Sequence, residues 1–172
     1  MSDSIYGIVV GIVKDVNDPE GHGRVLLDLQ FMPGQHQTHW APVIAPMAGL
    51  DRGCWVMPEV GDEAVVAFDH GDPDHPYVLG FTWNGQDKPP SSTNKERILR
   101  SLNGHTIRMV DSTPDAGNKG ELSIEDAHGN CIVMTNTHVT IHSRGALILD
   151  GMTIVLQGPG YKRVISPNSN PV

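Results

Sequence analysis

The sequence predicts an all-β protein in two parts, a small barrel followed by an elongated array of strands. Three observations carry that expectation. Glu and Lys nowhere recur on a 3.6-residue period, so no helix is expected. Turn formers cut the chain into short segments, with 19 Gly and 13 Pro among 172 residues. The second half alone carries apolar pairs two residues apart, repeated about every eight residues.

The first strand is read over 6–16, a stretch rich in Ile and Val. Asn17-Asp18-Pro19-Glu20-Gly21-His22-Gly23 ends it, since each of these residues but Glu20 and His22 favours a turn. A second strand is read over 24–31. A polar loop holding His36 and His39 leads to Trp40-Ala41-Pro42-Val43-Ile44-Ala45-Pro46. Further strands are read over 53–57 and 62–68 and, after a tight turn at Gly71-Asp72-Pro73-Asp74, over 77–83. Five or so short strands without helices predict a closed or nearly closed barrel over 1–85.

Residues 86–98 change character, and Gln86-Asp87-Lys88-Pro89-Pro90-Ser91-Ser92-Thr93-Asn94-Lys95 has the composition of a linker. Over 99–157 the apolar pairs are Ile107 and Met109, Leu122 and Ile124, Ile132 and Met134, Val139 and Ile141, Leu147 and Leu149, and Ile154 and Leu156. From Leu122 the first members stand ten, seven, eight and seven residues apart. This is the grammar of a β-solenoid: one short strand per repeat, one apolar face inward, then a turn. A single narrow ribbon of such strands leaves its edges exposed. Three chains wound about one axis cover them, so an intertwined homotrimer is expected. Residues 158–172 leave the repeat and read as a tip or tail.

Composition narrows the function. Hydrophobic residues make up 38% and charged residues 19%, which disfavours disorder and membrane spans alike. The net charge of −8 disfavours nucleic acid as a partner, because backbone binding needs clustered Lys and Arg. Aromatic residues are only 5%, so Trp40, Trp55 and Trp83 are the few large anchors a core could use. Met1-Ser2-Asp3-Ser4-Ile5-Tyr6-Gly7 has no basic, then apolar, pattern. Synthesis in the cytoplasm without a signal peptide is therefore expected. Cys54 and Cys131 are isolated thiols, read as small part-buried side chains.

Several stretches together resemble a known family. They are Asp15-Val16-Asn17-Asp18-Pro19-Glu20-Gly21-His22-Gly23-Arg24-Val25, Trp40-Ala41-Pro42-Val43, and Met47-Ala48-Gly49-Leu50-Asp51-Arg52-Gly53. They continue with Pro58-Glu59-Val60-Gly61-Asp62-Glu63, Gly71-Asp72-Pro73-Asp74-His75-Pro76-Tyr77-Val78-Leu79-Gly80 and Trp83-Asn84-Gly85. In order and spacing they resemble the OB-fold domain of the phage baseplate assembly protein V and VgrG-type central spike family. Arg100-Ser101-Leu102-Asn103-Gly104-His105-Thr106-Ile107 is similar to that family's entry into its β-helix.

The resemblance implies an N-terminal OB-fold barrel followed by an intertwined trimeric β-helix or β-prism needle. It implies a homotrimer that docks to a separate hub protein on the tube of a contractile injection system. That system is a phage tail baseplate or an extracellular phage-tail-like particle, and the needle pierces the target cell envelope. A cap protein of the PAAR type at the C-terminal end is a further expected partner. No hub precedes the barrel and no lysozyme domain separates barrel from needle in this sequence, so a non-enzymatic structural protein without cofactors is expected. No His-x-His pair of the kind that cages iron at some short spike tips occurs.

The remaining motifs read as structure. His138 and His142 are the nearest approach to a metal pair, but on a strand they stand about 13 Å apart. With Val139 and Ile141 inward, both belong to a solvated outer face, and no metal is assigned. Gln35-His36-Gln37-Thr38-His39 lacks the further ligands of a zinc site and reads as loop. Gly71-Asp72-Pro73-Asp74 lacks the alternating oxygen donors of a calcium loop. Asp62 and Glu63, castable as paired hydrolytic carboxylates, read as a polar turn entering a strand. The alternative function is an OB-fold binding module for an oligonucleotide or a sugar. For single strands that reading needs a basic groove and exposed aromatic residues.

Overall fold

The structure, a computed structural model, describes residues 4–29, 37–113 and 117–165. The chain divides into two compact units, Met1–Pro89 and Pro90–Val172. The first contains β1 (Ile8–Asp15), β2 (Arg24–Asp28), β3 (Ala41–Pro42), β4 (Ala48–Gly49), β5 (Arg52–Gly53), β6 (Glu63–Phe68) and β7 (Pro76–Phe81). Alternate side chains of these strands point inward, as the period of two requires. β2 buries Val25 and Leu27, and β6 buries Ala64, Val66 and Phe68. With Val13, Leu29, Ala41 and Val78 they form the core.

β1 pairs antiparallel with both β2 and β6, β2 with β3, and β6 with β7. A parallel bridge between Val43 and Val78 joins the chain after β3 to β7, and the Ile44 N–H donates to the Val78 carbonyl at 2.9 Å. The circuit β1-β2-β3-β7-β6 thereby returns to β1, which is the five-stranded OB arrangement. The barrel expected from sequence is present. Two details differ. The core is aliphatic apart from Phe68, whereas Trp55 and Trp83 are 74% and 68% exposed, so the tryptophans are not its anchors. The strand expected over 53–57 shrinks to β5, a two-residue hairpin partner of β4, because the barrel circuit closes without it. The end of the expected second strand and His36 lie outside the described residues.

The second unit contains β8 (Glu96–Arg100), β9 (Thr106–Val110), β10 (Glu121–Glu125), β11 (Cys131–Met134) and β12 (Val139–His142). A hairpin of β13 (Ile154–Gly158) and β14 (Tyr161–Ile165) follows. The five strands β8 to β12 pair in sequence order, each antiparallel to the next. The ribbon of short strands expected from the repeat is, within this chain, an antiparallel meander. Most of the turns are short, and parallel neighbours need a crossover of a dozen or more residues. The longest connection within the meander, between β9 and β10, requires Gly120: its φ is +102° and a Cβ there would collide with the Val110 carbonyl oxygen.

β14 was not expected from sequence; the chain turns at Pro159-Gly160, with Gly160 at φ +81°, and pairs back on β13. Leu147 and Leu149, expected on a strand, lie in a stretch without strand pairing. Residues 166–172, the rest of the expected tip, lie outside the described residues. Among the described residues no helix is long and apolar enough to cross a membrane.

Candidate interaction surfaces

Strand register sorts the side chains of the meander. Directly opposed residues share a face. Leu99, Ile107, Ile124, Ile132 and Ile141 are opposed in turn from β8 to β12. Arg97, Met109, Leu122, Met134 and Val139 make the parallel row beside them. Every member but Arg97 is apolar, and Arg97 is held by Asp111. Four of the six apolar pairs read from sequence, Ile107 and Met109 to Val139 and Ile141, are thus aligned on one side of one sheet.

Nothing in the described chain covers that side. Ile107 is 41% exposed, Ile124 45%, Ile141 55% and Val139 63%. From 90 to 160 none of the described residues is buried, while the nine buried hydrophobic residues among those described all belong to the barrel. An apolar sheet face ordinarily packs on a second layer, and this one has none within its own chain. The hairpin β13–β14 is two-stranded, which alone is marginal in water.

The opposite side is mixed, with Ile98, Val110 and Val133 among Glu96, Arg108, Ser123 and Thr140. Arg108 pairs with Glu96 there, and the hydrogen bond draws the Glu96 carboxyl below its usual range and raises the Arg108 guanidinium. His142 is opposed to Cys131 on this side. His138 sits in the turn before β12, its Nδ1 2.8 Å from the Thr137 hydroxyl. Asp126 organises the β10–β11 turn: its carboxylate accepts from the Asn130 side chain at 2.6 Å and from the His128 N–H at 2.8 Å. The Asn130 bond is the main reason its carboxyl is drawn down.

On the barrel, the face of β2 and β3 and the loops beside it is where OB folds take oligonucleotides or sugars. Two of its cations, Arg24 and Lys14, are engaged. Arg24 donates to Asp18 through Nε at 3.0 Å and Nη2 at 2.7 Å, and Nη2 lies 3.0 Å from Glu20. Asp18 also accepts the His22 N–H at 2.9 Å and the Glu20 N–H at 3.1 Å. Led by Arg24, these donors hold its carboxyl far below the usual carboxylate range. Lys14 lies 3.4 Å from Asp28. The turn between β6 and β7 adds Asp69, Asp72 and Asp74, with Asp72 accepting from the Asp74 N–H at 3.0 Å and lying 2.9 Å from His75 Nδ1. His39 stands 3.4 Å from Asp74. An acidic face with paired cations does not suit a phosphate backbone.

The other residues weighed from sequence have structural roles. Asp62 Oδ2 accepts the Glu59 N–H at 2.9 Å and Glu63 accepts from the Thr82 hydroxyl, so each carboxylate has a structural partner. Cys131 is half-buried, but Cys54 is exposed on the strand-poor 44–57 loop, contrary to the part-buried expectation. Among the described residues no three His, Cys, Asp or Glu side chains gather as metal ligands. Sequence reasoning gave no role to that loop, where Leu50 is 96% exposed at the tip of the β4–β5 hairpin. It beds the Trp55 ring against Gly23, whose φ is +73° and where a Cβ would approach the ring to 2.8 Å.

Residues 9–83 match the family described as the type VI secretion system/phage-baseplate injector OB domain. The type VI secretion system spike protein VgrG5 of Pseudomonas aeruginosa is 34% identical over 126 residues, 71% of this chain and 15% of that protein. The actin cross-linking toxin VgrG1 of Vibrio cholerae is 30% identical over 131 residues, 69% of this chain and 11% of that protein. VgrG3 of the same species is 32% identical over 117 residues, 64% of this chain and 11% of that protein. The chain thus spans well under a fifth of these relatives, yet the similarity runs past the barrel into the second unit. With an OB circuit, an injector-domain match and this similarity to spike proteins, the chain belongs to the VgrG-type spike family, in a spike-related structural role.

Proposed function

We propose that this protein is a homotrimeric piercing needle without catalytic activity. The observation that carries this reading is the apolar face of β8–β12, two aligned rows with no covering layer in their own chain. Three such sheets turned inward about one axis supply each other's second layer and form a prism. Three is the number this reading takes, a closed cyclic arrangement in which each sheet meets the next. A prism of this kind unfolds only when its chains separate together, which gives the slow unfolding a piercing element needs.

In this reading the barrel docks the needle to a separate hub protein at the end of the tube. Contraction of the sheath drives the needle through the target envelope. The particle is a phage baseplate or a phage-tail-like assembly, and the C-terminal end carries a PAAR-type cap. Native mass spectrometry of the purified full chain tests the reading. A three-chain mass that persists in SDS at room temperature is expected, and a monomer at micromolar concentration refutes it.

A further inference from the structure

An antiparallel sheet with one side on a core ordinarily turns polar residues to water on the other. Three strands of the barrel do not. Val13, Ala64, Val66 and Val78 are buried, so the residues that alternate with them along β1, β6 and β7 point outward. Those residues are apolar as well. Ile8 is opposed to Ala67 and Ala67 to Tyr77, while Val10 is opposed to Val65, with Leu79 at the bulge where β6 meets β7. Ile8 is 67% exposed, Val10 51%, Leu79 44% and Tyr77 39%. Along these outward rows the first charges are Lys14 and Glu63 at one end and Asp69 at the other. Lys14 is held by Asp28, and Glu63 accepts from the Thr82 hydroxyl.

The β2 side of the barrel keeps the ordinary pattern. Its outward residues are Arg24, Leu26 and Asp28, with Arg24 paired to Asp18 and Asp28 to Lys14. The barrel thus has one charged flank and one contiguous apolar flank, and an apolar flank of this kind marks an interaction surface. We infer that the β1–β6–β7 face packs against the same face of other copies, so that the barrels touch one another as well as the meanders. This rests on the homotrimer proposed above and assigns a second contact between its copies, outside the needle.

Charge and tethering make a second copy the occupant. Each chain carries a net charge of −8, so barrels that approach through acidic surfaces repel one another. Through this face they meet with no unpaired charge to desolvate. Chains joined at their needles also hold their barrels at a roughly millimolar effective concentration. An apolar contact too weak to join free monomers closes under that condition. In a closed ring of three, each face turned toward the axis meets the same face of its neighbours.

Hydroxyl-radical footprinting of the full-length assembly, read by mass spectrometry, tests this. The reference is the full-length variant Ile124→Asp, in which a charge on the meander keeps the copies apart. Tyr77 and Leu79 are expected to be labelled severalfold less in the wild-type assembly than in that variant, with Trp55 on the 44–57 loop labelled alike in both. A second variant, Val10→Arg, puts a charge on the face at a half-exposed position that a folded barrel accommodates. Its three-chain mass is expected to persist, because the needle holds it, while Tyr77 labelling rises severalfold over the wild-type assembly. Equal labelling of Tyr77 in the wild-type assembly and in Ile124→Asp overturns the inference, leaves the trimer standing and frees the face for a different partner. Protection of Trp55 in place of Tyr77 overturns it too, as does a Val10→Arg assembly in which Tyr77 stays protected. A monomeric wild-type protein overturns both readings together.

Discussion

The barrel and the meander are built from similar strands, yet one carries its own interior and the other does not. The barrel closes a circuit, so every inward side chain faces another across a shared core, and Val13, Val25, Leu27, Ala41, Ala64, Val66 and Val78 are fully buried. The meander runs in one direction without closing, so its inward side chains face empty space. The lesson concerns topology and not hydrophobicity. Leu122, Ile124 and Ile132 are as apolar as anything in the barrel, but a single layer cannot bury them.

The contrast can be broken most severely at the centre of the meander. Ile124→Asp places a charge in the middle of the apolar row, and complete loss of the assembled form is expected by sedimentation, with the barrel still folded by near-ultraviolet circular dichroism. Retention of the oligomer would mean that this face is not the interface. The converse change, Leu27→Ala, removes a fully buried barrel side chain and should destabilise the barrel by about 2–5 kcal/mol in denaturant titration. Assembly should survive it. Equal effects of the two substitutions on assembly would erase the distinction between the units.

Acid sharpens the comparison further. The carboxyls of Asp18 in the barrel and of Glu96 and Asp126 in the meander are all held below their ordinary values by hydrogen bonds. A lowered folded value means stability that is present above the unfolded carboxylate range, about pH 4, and lost as pH falls from there toward the folded value. Thermal melts should thus be flat from neutral pH down to about 5 and fall below about 4. Asp18→Asn, which removes the charge facing Arg24, should lower the barrel transition at pH 7 and make it less steeply dependent on acid. An unchanged acid profile in that variant would show that the Asp18 turn does not set barrel stability. The smallest effect is expected at His142, exposed on the mixed side. His142→Ala should change stability by less than about 0.5 kcal/mol and leave the mass of the assembly unaltered. Stoichiometric iron or zinc in the wild-type protein, lost in this variant, would contradict the assignment of a plain outer face.

The barrel was legible because its signals are local. Turn residues such as Asp18-Pro19 and Asp72-Pro73 mark where strands end, and alternation within β6 marks which side chains go in. The shrinking of the 53–57 strand was not legible, because it depends on the Val43–Val78 bridge, a contact between distant segments. In the meander the spacing of the apolar pairs named the face correctly. It could not tell coils from reversals, since both place residues two apart on one side; the short turns decide for reversal. The clamp of Arg24 by Asp18 and Glu20 was hidden for another reason. Sequence shows a turn there, and only the folded loop shows that the cation of β2 is already neutralised.

The claim that the second unit has no interior until copies meet is tested most directly by the mass of the intact assembly. Analytical ultracentrifugation of the full chain across two decades of concentration should give a single species of three chains at every concentration. A single-chain species with a cooperatively folded second unit would contradict the account.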